Sequence, residues 1–339
     1  ADALLAFAAV TGWLAAEVHR KRPASALALT TLAGFVVALP LALAQMDAHQ
    51  QPFADYGFWA WLAFAVLGIR SLLCLRASED RYAGWAQFAW WLVWPTVVSL
   101  LFSWLADRFE LAQGWQMALL SLPWLAAITL SIFRWSWLAV PQGERFDPCR
   151  TALQMVYFTV LALWWLAALF LPGDSAPLPW IPLFNPMELA QLALLALAAR
   201  WLWSEQSPSW LRGVRIFKMS AAGFLMVTFV TLRAVHHWGG VEWNPGMLST
   251  SLAQTSLTVV WSVLGVLGWV IGSRRGHRGL WLAGAVLMGV VLAKLILVDR
   301  GNLGDVLGIA SFIAYGLLCT LVGYFAPAPP RAAAEGNAA

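Results

Sequence analysis

The residues best suited to chemistry form an Arg-His-His cluster in the last third of the sequence. Arg233 precedes His236 by three residues and His237 by four, so one helical face can carry the arginine with either imidazole. A guanidinium binds phosphate, and an imidazole transfers protons near neutral pH. The pattern predicts His236 and His237 as catalytic residues, with Arg233 and Trp238 binding substrate. Two alternatives stay open: Arg233 snorkels beside two exposed histidines, or His236, His237 and Glu242 form a weaker metal site.

A second charged group follows at the end of another apolar run. Lys294 lies about one turn inside the apolar boundary, and Asp299 and Arg300 come directly after that boundary. An ammonium at this depth costs a few kcal/mol unless it snorkels to the interface or pairs with a carboxylate. Pairing with Asp299, or with Glu188 from another helix, predicts that Lys294, Asp299 and Arg300 contribute to substrate binding.

Further polar residues belong to two other predicted helices. Asn185, Pro186 and Glu188 together resemble a helix start, with an asparagine cap, a proline in the first position and a glutamate that reaches back. The functional interpretation instead makes Glu188 a catalytic residue and places Gln191, one turn further on, in the same cavity. Gln254 is also a predicted substrate-binding residue. It lies beside a stripe of hydroxyl side chains with helical spacing: Ser251, Thr255, Thr258 and Ser262.

The composition of the chain is unusually apolar, and it indicates which kind of element positions these residues. Hydrophobic residues make up 61% of the 339-residue chain and charged residues only 11%, with a mean hydropathy of +0.70. A soluble domain of this length needs a polar surface that this chain cannot supply. The 23 tryptophans also favour a membrane, since Trp is enriched at the bilayer interface. The three scattered cysteines predict neither a disulfide framework nor a zinc site, and no metal or other cofactor is expected.

Hydrophobic runs long enough for a bilayer predict an all-α, polytopic transmembrane helix bundle of about 11 spans. The runs lie near 2–18, 24–45, 55–76, 84–106, 114–133, 152–172, 187–203, 214–234, 250–272, 279–298 and 306–326. They predict a single transmembrane domain over 1–326, followed by a disordered cytoplasmic tail at 327–339. The chain begins with Ala rather than Met, which suggests a piece of a longer polypeptide.

The loop charges orient these spans. Alternating the loops places 17 of the 21 Lys and Arg residues on one side, which the positive-inside rule makes the cytoplasm. The N-terminus is then outside and the C-terminus inside. The net charge of +4 is therefore a topology signal for loops that meet anionic lipids, not a signal for nucleic acid.

The last third of the chain resembles the bacterial family of predicted membrane proteins called "domain of unknown function 2339". The segments that carry the resemblance are Pro177–Pro186, Leu232–Gly240, Gly272–Gly276, Trp281–Ala285, Val291–Asp299, Ser311–Ile313 and Val322–Tyr324. The resemblance extends over about 172–330, and before that it is only compositional. It implies a bacterial inner-membrane protein and the C-terminal part of a longer chain. It implies no activity and no catalytic residue.

The sequence leaves three function classes open. An enzyme that handles a lipid-linked or glycan envelope substrate on the outer face is favoured by the polar residues that gather there. A scaffold or assembly subunit, and a lipid or small-molecule transporter, are the alternatives. The expected partners are membrane lipids, a lipid-linked glycan, and an upstream membrane segment or protein subunit.

Overall fold

The chain folds into helices joined by short connections. The computed structural model describes residues 1–76, 80–297 and 306–325, and within these ranges all regular structure is helical. The long helices are Asp2–Lys21 (α1), Ser25–His49 (α2), Gly57–Leu75 (α3), Arg81–Arg108 (α4), Gln113–Phe133 (α5), Arg150–Leu169 (α7), Pro186–Leu202 (α8), Arg215–Gly239 (α10), Ser251–Arg274 (α11), Arg278–Leu297 (α12) and Val306–Phe325 (α13). The short elements are Trp135–Ala139 (α6), Ser209–Arg212 (α9) and the 3-10 turns Gly143–Cys149 and Pro245–Ser249.

Each hydrophobic run of the sequence coincides with one of the long helices. Among the described residues, 8 helices are long and apolar enough to cross a membrane by length and composition. These are α2, α3, α4, α5, α7 with the turn before it, α10, α11 and α12. Of the other three, α8 has only 17 residues, fewer than the roughly 20 of a full crossing. Helix α1 ends in the polar series His19, Arg20 and Lys21. Helix α13 contributes a shorter apolar segment, Phe312–Leu321.

The chain divides into two compact units, Ala1–Ala222 and Gly223 onward, with the division inside α10. In the first unit α1 packs against α2 and α3, α2 against α4, α4 against α5, and α5 against α7 and α8. In the second unit α11 is central, because both α12 and α13 pack against it. The predicted single domain over 1–326 stays a prediction, and the tail 327–339 lies outside the described residues.

Aromatic rings fill the core of the first unit. Phe64 of α3 and Trp90 of α4 stack with ring centroids 5.5 Å apart and an interplanar angle of 16°. Gly68 makes this stack possible, since a Cβ added there would lie 2.2 Å from the Trp90 ring. Close van der Waals packing of these rings holds α3 and α4 against each other, since packing rather than apolar burial drives helix association in lipid.

Buried glutamine amides connect the helices of the first unit. Gln87 of α4 donates to the carbonyls of Leu138 and Val140, at 2.5 and 3.2 Å. Gln154 of α7 donates to the Ser131 carbonyl at 3.1 Å and accepts from the Trp201 indole at 2.8 Å. A polar group in a low-dielectric interior is costly unless its hydrogen bonds are satisfied. These amides therefore fix which helices are neighbours.

In the second unit, glycines determine which helices are neighbours. A Cβ added at Gly284 of α12 would lie 2.3 Å from the backbone nitrogen of Trp269 and 2.6 Å from the Gly265 carbonyl oxygen. A Cβ added at Gly272 of α11 would lie 2.3 Å from the backbone nitrogen of Trp281. The two backbones thus touch directly, which is the close approach that small residues permit in membranes.

Candidate functional site

The end of α10 holds His236 in a defined orientation. Its Nδ1 lies 2.7 Å from the carbonyl oxygen of Val241, in the loop after the helix. A carbonyl oxygen can only accept, so Nδ1 carries the proton in this contact. In the neutral ring the opposite nitrogen, Nε2, is then the acceptor. This half-buried imidazole is consequently preset to receive a proton or a hydrogen bond at Nε2.

Aromatic neighbours complete this end of α10. The rings of His236 and His237 lie edge to face with centroids 4.6 Å apart, and the Trp243 ring lies 5.9 Å from His236. Gly240 closes the helix in the left-handed conformation, with φ of 66°. Its N–H donates to the His236 carbonyl at 3.1 Å. The Glu242 carboxylate accepts from Asn244 at 3.0 Å within the same loop.

An apolar cluster supports these polar side chains from below. It joins the end of α10 to the start of α11 through five buried residues: Leu232, Val235, Met247, Ala253 and Leu257. Near the middle of both helices, the Trp261 indole of α11 donates to the Thr228 hydroxyl of α10 at 3.1 Å. The two imidazoles therefore lie next to a packed helix contact and not in an unsupported loop.

Arg233 is fully buried, with no exposed surface. A snorkelling arginine extends its guanidinium to water, so burial excludes that alternative for Arg233. A guanidinium is stable in the interior only where charges or hydrogen-bond acceptors surround it. Arg233 is thus part of the internal structure of the protein, one turn before His236 and His237.

Lys294 is bound by the neighbouring helix α11. Its ammonium donates to the Thr258 hydroxyl at 2.7 Å and to the Gln254 carbonyl oxygen at 3.1 Å. The side chain therefore lies inside the helix pair α11–α12, which excludes an orientation toward lipid.

Gln254 presents an unusual amide beside Lys294. Its Nε2 donates to the Leu248 carbonyl oxygen, which fixes the direction of the amide. Its Oε1 is buried and has no hydrogen-bond partner among the described residues. A buried acceptor of this kind calls for a donor.

Glu188 and Gln191 lie at the start of α8, in the first unit, and both are fully buried. The predicted cap is confirmed: the Asn185 side chain accepts from the Glu188 N–H at 3.0 Å, and Pro186 begins the helix. The Glu188 carboxylate accepts from the Leu183 N–H at 2.6 Å. Leu183 has a φ of 66°, a strained conformation for leucine, so this bond helps to hold it.

The remaining predicted residues divide into two groups. Trp238 is 67% exposed at the end of α10, as expected for an interfacial tryptophan. Asp299 and Arg300 lie outside the described residues. The predicted pairing of Lys294 with Asp299 therefore stays a prediction.

Comparison with known proteins assigns the chain to a family. A family model described as "Predicted membrane protein (DUF2339)" matches residues 1–329. The chain belongs to the DUF2339 family. The match confirms the resemblance seen in the last third of the sequence and extends it over the first half. No curated protein and no solved structure matches this DUF2339 chain.

Sequence reasoning missed two groups that complete the site. Thr258 was noted only as a member of the hydroxyl stripe on α11, yet it binds Lys294. The Val241 carbonyl, which orients His236, has no side-chain signature at all. The four-residue spacing of Thr258 from Gln254 was the available signal for the first, since it places both on the face that meets α12.

Proposed function

We propose that this DUF2339 protein is a bacterial inner-membrane protein that handles a lipid-linked or glycan envelope substrate on its outer face. The proposal includes eleven spans, an outer N-terminus and an inner C-terminus. The bias of 17 in 21 basic residues toward one set of loops supports this orientation. In it, the ends of α10 and α12 and the start of α11 face outward.

The orientation of His236 carries the chemical part of the proposal. A histidine whose Nδ1 is held by a backbone carbonyl presents Nε2 as a general base or acceptor. His237, in edge contact with it, is the second candidate for proton transfer. A hydroxyl of a glycan or lipid carrier is a suitable proton donor for either ring.

The surroundings of Lys294 supply the binding part. Its charge suits a phosphate, and the Oε1 of Gln254, which accepts no hydrogen bond from any described residue, suits a hydroxyl. A phosphate next to a hydroxyl-bearing group is the chemistry of a lipid-linked sugar. Arg233, Trp238, Asp299 and Arg300 remain proposed binding residues, as does Gln191, and Glu188 remains a proposed catalytic residue.

A matched pair of probes tests binding. Farnesyl phosphate and farnesol have the same isoprenoid chain, and only the first carries a phosphate. We expect farnesyl phosphate to raise the thermal unfolding temperature of the detergent-solubilised protein and farnesol to have little effect. Lys294→Met should weaken binding roughly tenfold, since it removes one charged phosphate contact. Lys21→Met, at the end of α1, is the control and should bind normally. Equal effects of the two probes would refute a phosphate site.

The catalytic role needs a variant that preserves the histidine contact. His236→Asn retains an N–H donor for the Val241 carbonyl but lacks Nε2. We expect this variant to bind farnesyl phosphate normally and to fail to complement a strain that lacks the gene under envelope stress. Immunoblots show whether protein level is unchanged. Full complementation would exclude His236 as a general base. Loss of the protein itself would favour the scaffold alternative.

Cysteine labelling tests the orientation. A cysteine in place of Asp55, between α2 and α3, should react with an impermeant maleimide added to intact spheroplasts. A cysteine in place of Gly276, between α11 and α12, should react only after the membrane is opened. The reverse pattern would overturn the proposed topology.

A further inference from the structure

Two cationic side chains at the start of α10 lie against tryptophan rings. The guanidinium of Arg215 lies over the Trp203 ring, 5.0 Å from its centroid. The ammonium of Lys218 lies over the Trp210 ring, 5.3 Å from its centroid. Trp203 follows α8 directly and Trp210 belongs to α9, so two different elements hold the two cations. These four residues, all in the first unit, are called the cation–indole patch below.

The helical spacing of Arg215 and Lys218 brings their charges together. Residues three apart share one face of a helix, with Cβ atoms about 5–6 Å from each other. A phosphate has several acceptor oxygens, so a single phosphate can accept from both side chains at once. The indole contacts already restrict both side chains, which reduces the conformational freedom that binding would otherwise remove.

An indole face attracts a cation without neutralising it. The ring has no net charge, so the N–H groups of both side chains keep their capacity to donate to oxygen. Within the part of the chain that the structure describes, no carboxylate forms an ion pair with Arg215 or Lys218. Arg20 and Arg70, by contrast, both bind the Glu17 carboxylate, at 2.9 and 2.7 Å. The charge of the cation–indole patch is therefore available to an external anion.

The position of the patch on α10 adds to its positive potential. The N-terminus of a helix carries about half a positive elementary charge, so acidic residues are favoured in the first turn. The first turn of α10 has no acidic residue, and it contains Arg215 and Lys218. In the segment 203–218, the basic residues Arg212, Arg215 and Lys218 outnumber the single acidic residue, Glu205. A bound anion would offset this repulsion.

The surroundings of the patch favour a lipid as the source of the anion. Helix α10 is long and apolar enough to cross a membrane, which places its first turn at the membrane boundary. Ile216 and Phe217, between the two cations in sequence, are 68% and 75% exposed. Trp203 and Trp210 are also exposed, as expected for rings between headgroups and acyl chains. Acyl chains would cover these apolar side chains, whereas a water-soluble anion would not.

We propose that the cation–indole patch binds the phosphate of an anionic glycerophospholipid. The phosphate accepts from Arg215 and Lys218, and the acyl chains lie against Ile216 and Phe217. Phosphatidylglycerol has the required phosphodiester with a net negative charge. Phosphatidylcholine has the same phosphodiester, but its quaternary ammonium cancels the charge. The proposal is independent of the outer-face function.

Lysine acetylation gives a direct readout, because the chain has three lysines, Lys21, Lys218 and Lys294. The protein is placed in nanodiscs of phosphatidylcholine, with or without phosphatidylglycerol, and treated with sulfosuccinimidyl acetate. Peptide mass spectrometry then gives the rate at each lysine. Lys21 is exposed at the end of α1, so it reports the general surface potential and is the internal reference. We expect phosphatidylglycerol to slow acetylation of Lys218 about fivefold relative to Lys21.

Two arginine variants separate a defined site from diffuse surface charge. Arg215→Gln should reduce the protection of Lys218 to less than about twofold, because it removes the partner cation. Arg134→Gln makes the same change of charge at an exposed arginine outside the patch and should preserve the protection. Equal slowing of Lys218 and Lys21 would overturn the proposal, as would equal effects of the two variants.

A tryptophan variant and a soluble probe complete the test. Trp203→Leu keeps an apolar side chain but has no ring to hold Arg215, so protection of Lys218 should fall as it does in Arg215→Gln. Full protection in Trp203→Leu would show that the indole does not build the site. Glycerophosphoglycerol, which lacks acyl chains, is added to phosphatidylcholine nanodiscs. If it protects Lys218 as well as phosphatidylglycerol does, the ligand is a soluble phosphodiester and the lipid assignment is wrong.

Discussion

The two units of the protein hold their helices together by different means. In the first unit, glutamine side chains cross between elements, as when Gln154 of α7 reaches the Ser131 carbonyl and the Trp201 indole. In the second, α11 and α12 meet through glycines, and Gly284 lies against the backbone of Gly265 and Trp269. Both solutions suit a solvent of lipid tails, in which apolar burial alone cannot draw helices together.

The difference predicts how each unit fails. An amide contact is lost when its donor or acceptor disappears, and the cost is the unsatisfied group left behind. A backbone contact is lost when any side chain intrudes, and neither backbone can move aside without shifting its helix. Substitutions in the second unit should therefore be the more damaging.

The largest effect is expected for Gly284→Ala. The added Cβ would lie 2.3 Å from the backbone nitrogen of Trp269, so α11 and α12 must separate. We expect a loss of about 3 kcal/mol or more of unfolding free energy. It is measured by dodecyl sulfate titration in mixed micelles with circular dichroism.

Gly289→Ala, on the same helix, is the matched control. A Cβ at Gly289 meets no atom of the described residues within 4 Å, and alanine favours a helix over glycine. This variant should be as stable as the parent or slightly more stable. If Gly284→Ala and Gly289→Ala behave alike, the glycine contact does not hold these helices together.

A smaller loss is expected for Gln154→Leu in the first unit. The substitution leaves the Trp201 indole without its acceptor and removes the bond to the Ser131 carbonyl. The Ser131 carbonyl keeps a donor in Arg150, at 3.3 Å, so the indole is the main buried group left unsatisfied, at a cost of about 1–3 kcal/mol. The same titration measures this loss, which should lie below that of Gly284→Ala.

A double-mutant cycle with Trp201→Phe isolates the indole contact. Phenylalanine has no N–H, so Gln154→Leu should cost less in that background than in the parent. Purely additive losses would show that the two side chains are not coupled. The glutamine would then act by packing alone, and the contrast between the units would weaken.

The helices were largely predictable, because hydrophobic length is a local signal that the bilayer imposes. The run 279–298 and helix α12 agree closely, as do the run 24–45 and the start of α2. The short helix α6 and the turn Gly143–Cys149 were not predicted. Their positions depend on Gln87 of α4, a contact between residues far apart in the sequence.

The candidate sites were predictable only in part, for the same reason. Lys294 and His236 were marked as unusual because they are basic or ionisable residues on the predicted outer side of a membrane protein. Their partners, Thr258 and the Val241 carbonyl, follow from tertiary packing. The cation–indole contacts between α8 and α10 were missed altogether, since they depend on the path of the chain between these helices. The only signal for them was the excess of basic residues in that segment.

The smallest effect is expected for Gln142→Leu, which tests whether this residue belongs with the structural amides of the first unit. Its Oε1 accepts no hydrogen bond from any described residue, and its Nε2 makes a contact of 3.5 Å with the Leu72 carbonyl oxygen. Replacing a buried, unsatisfied group by an apolar one of similar shape is close to neutral, so we expect a change within about 1 kcal/mol. The backbone N–H of Gln142, which donates to Gln87, is retained. If Gln142→Leu is instead as destabilising as Gln154→Leu, then Gln142 is one more link between the helices of the first unit, and its Nε2 contact with the Leu72 carbonyl oxygen is worth more than its 3.5 Å length indicates.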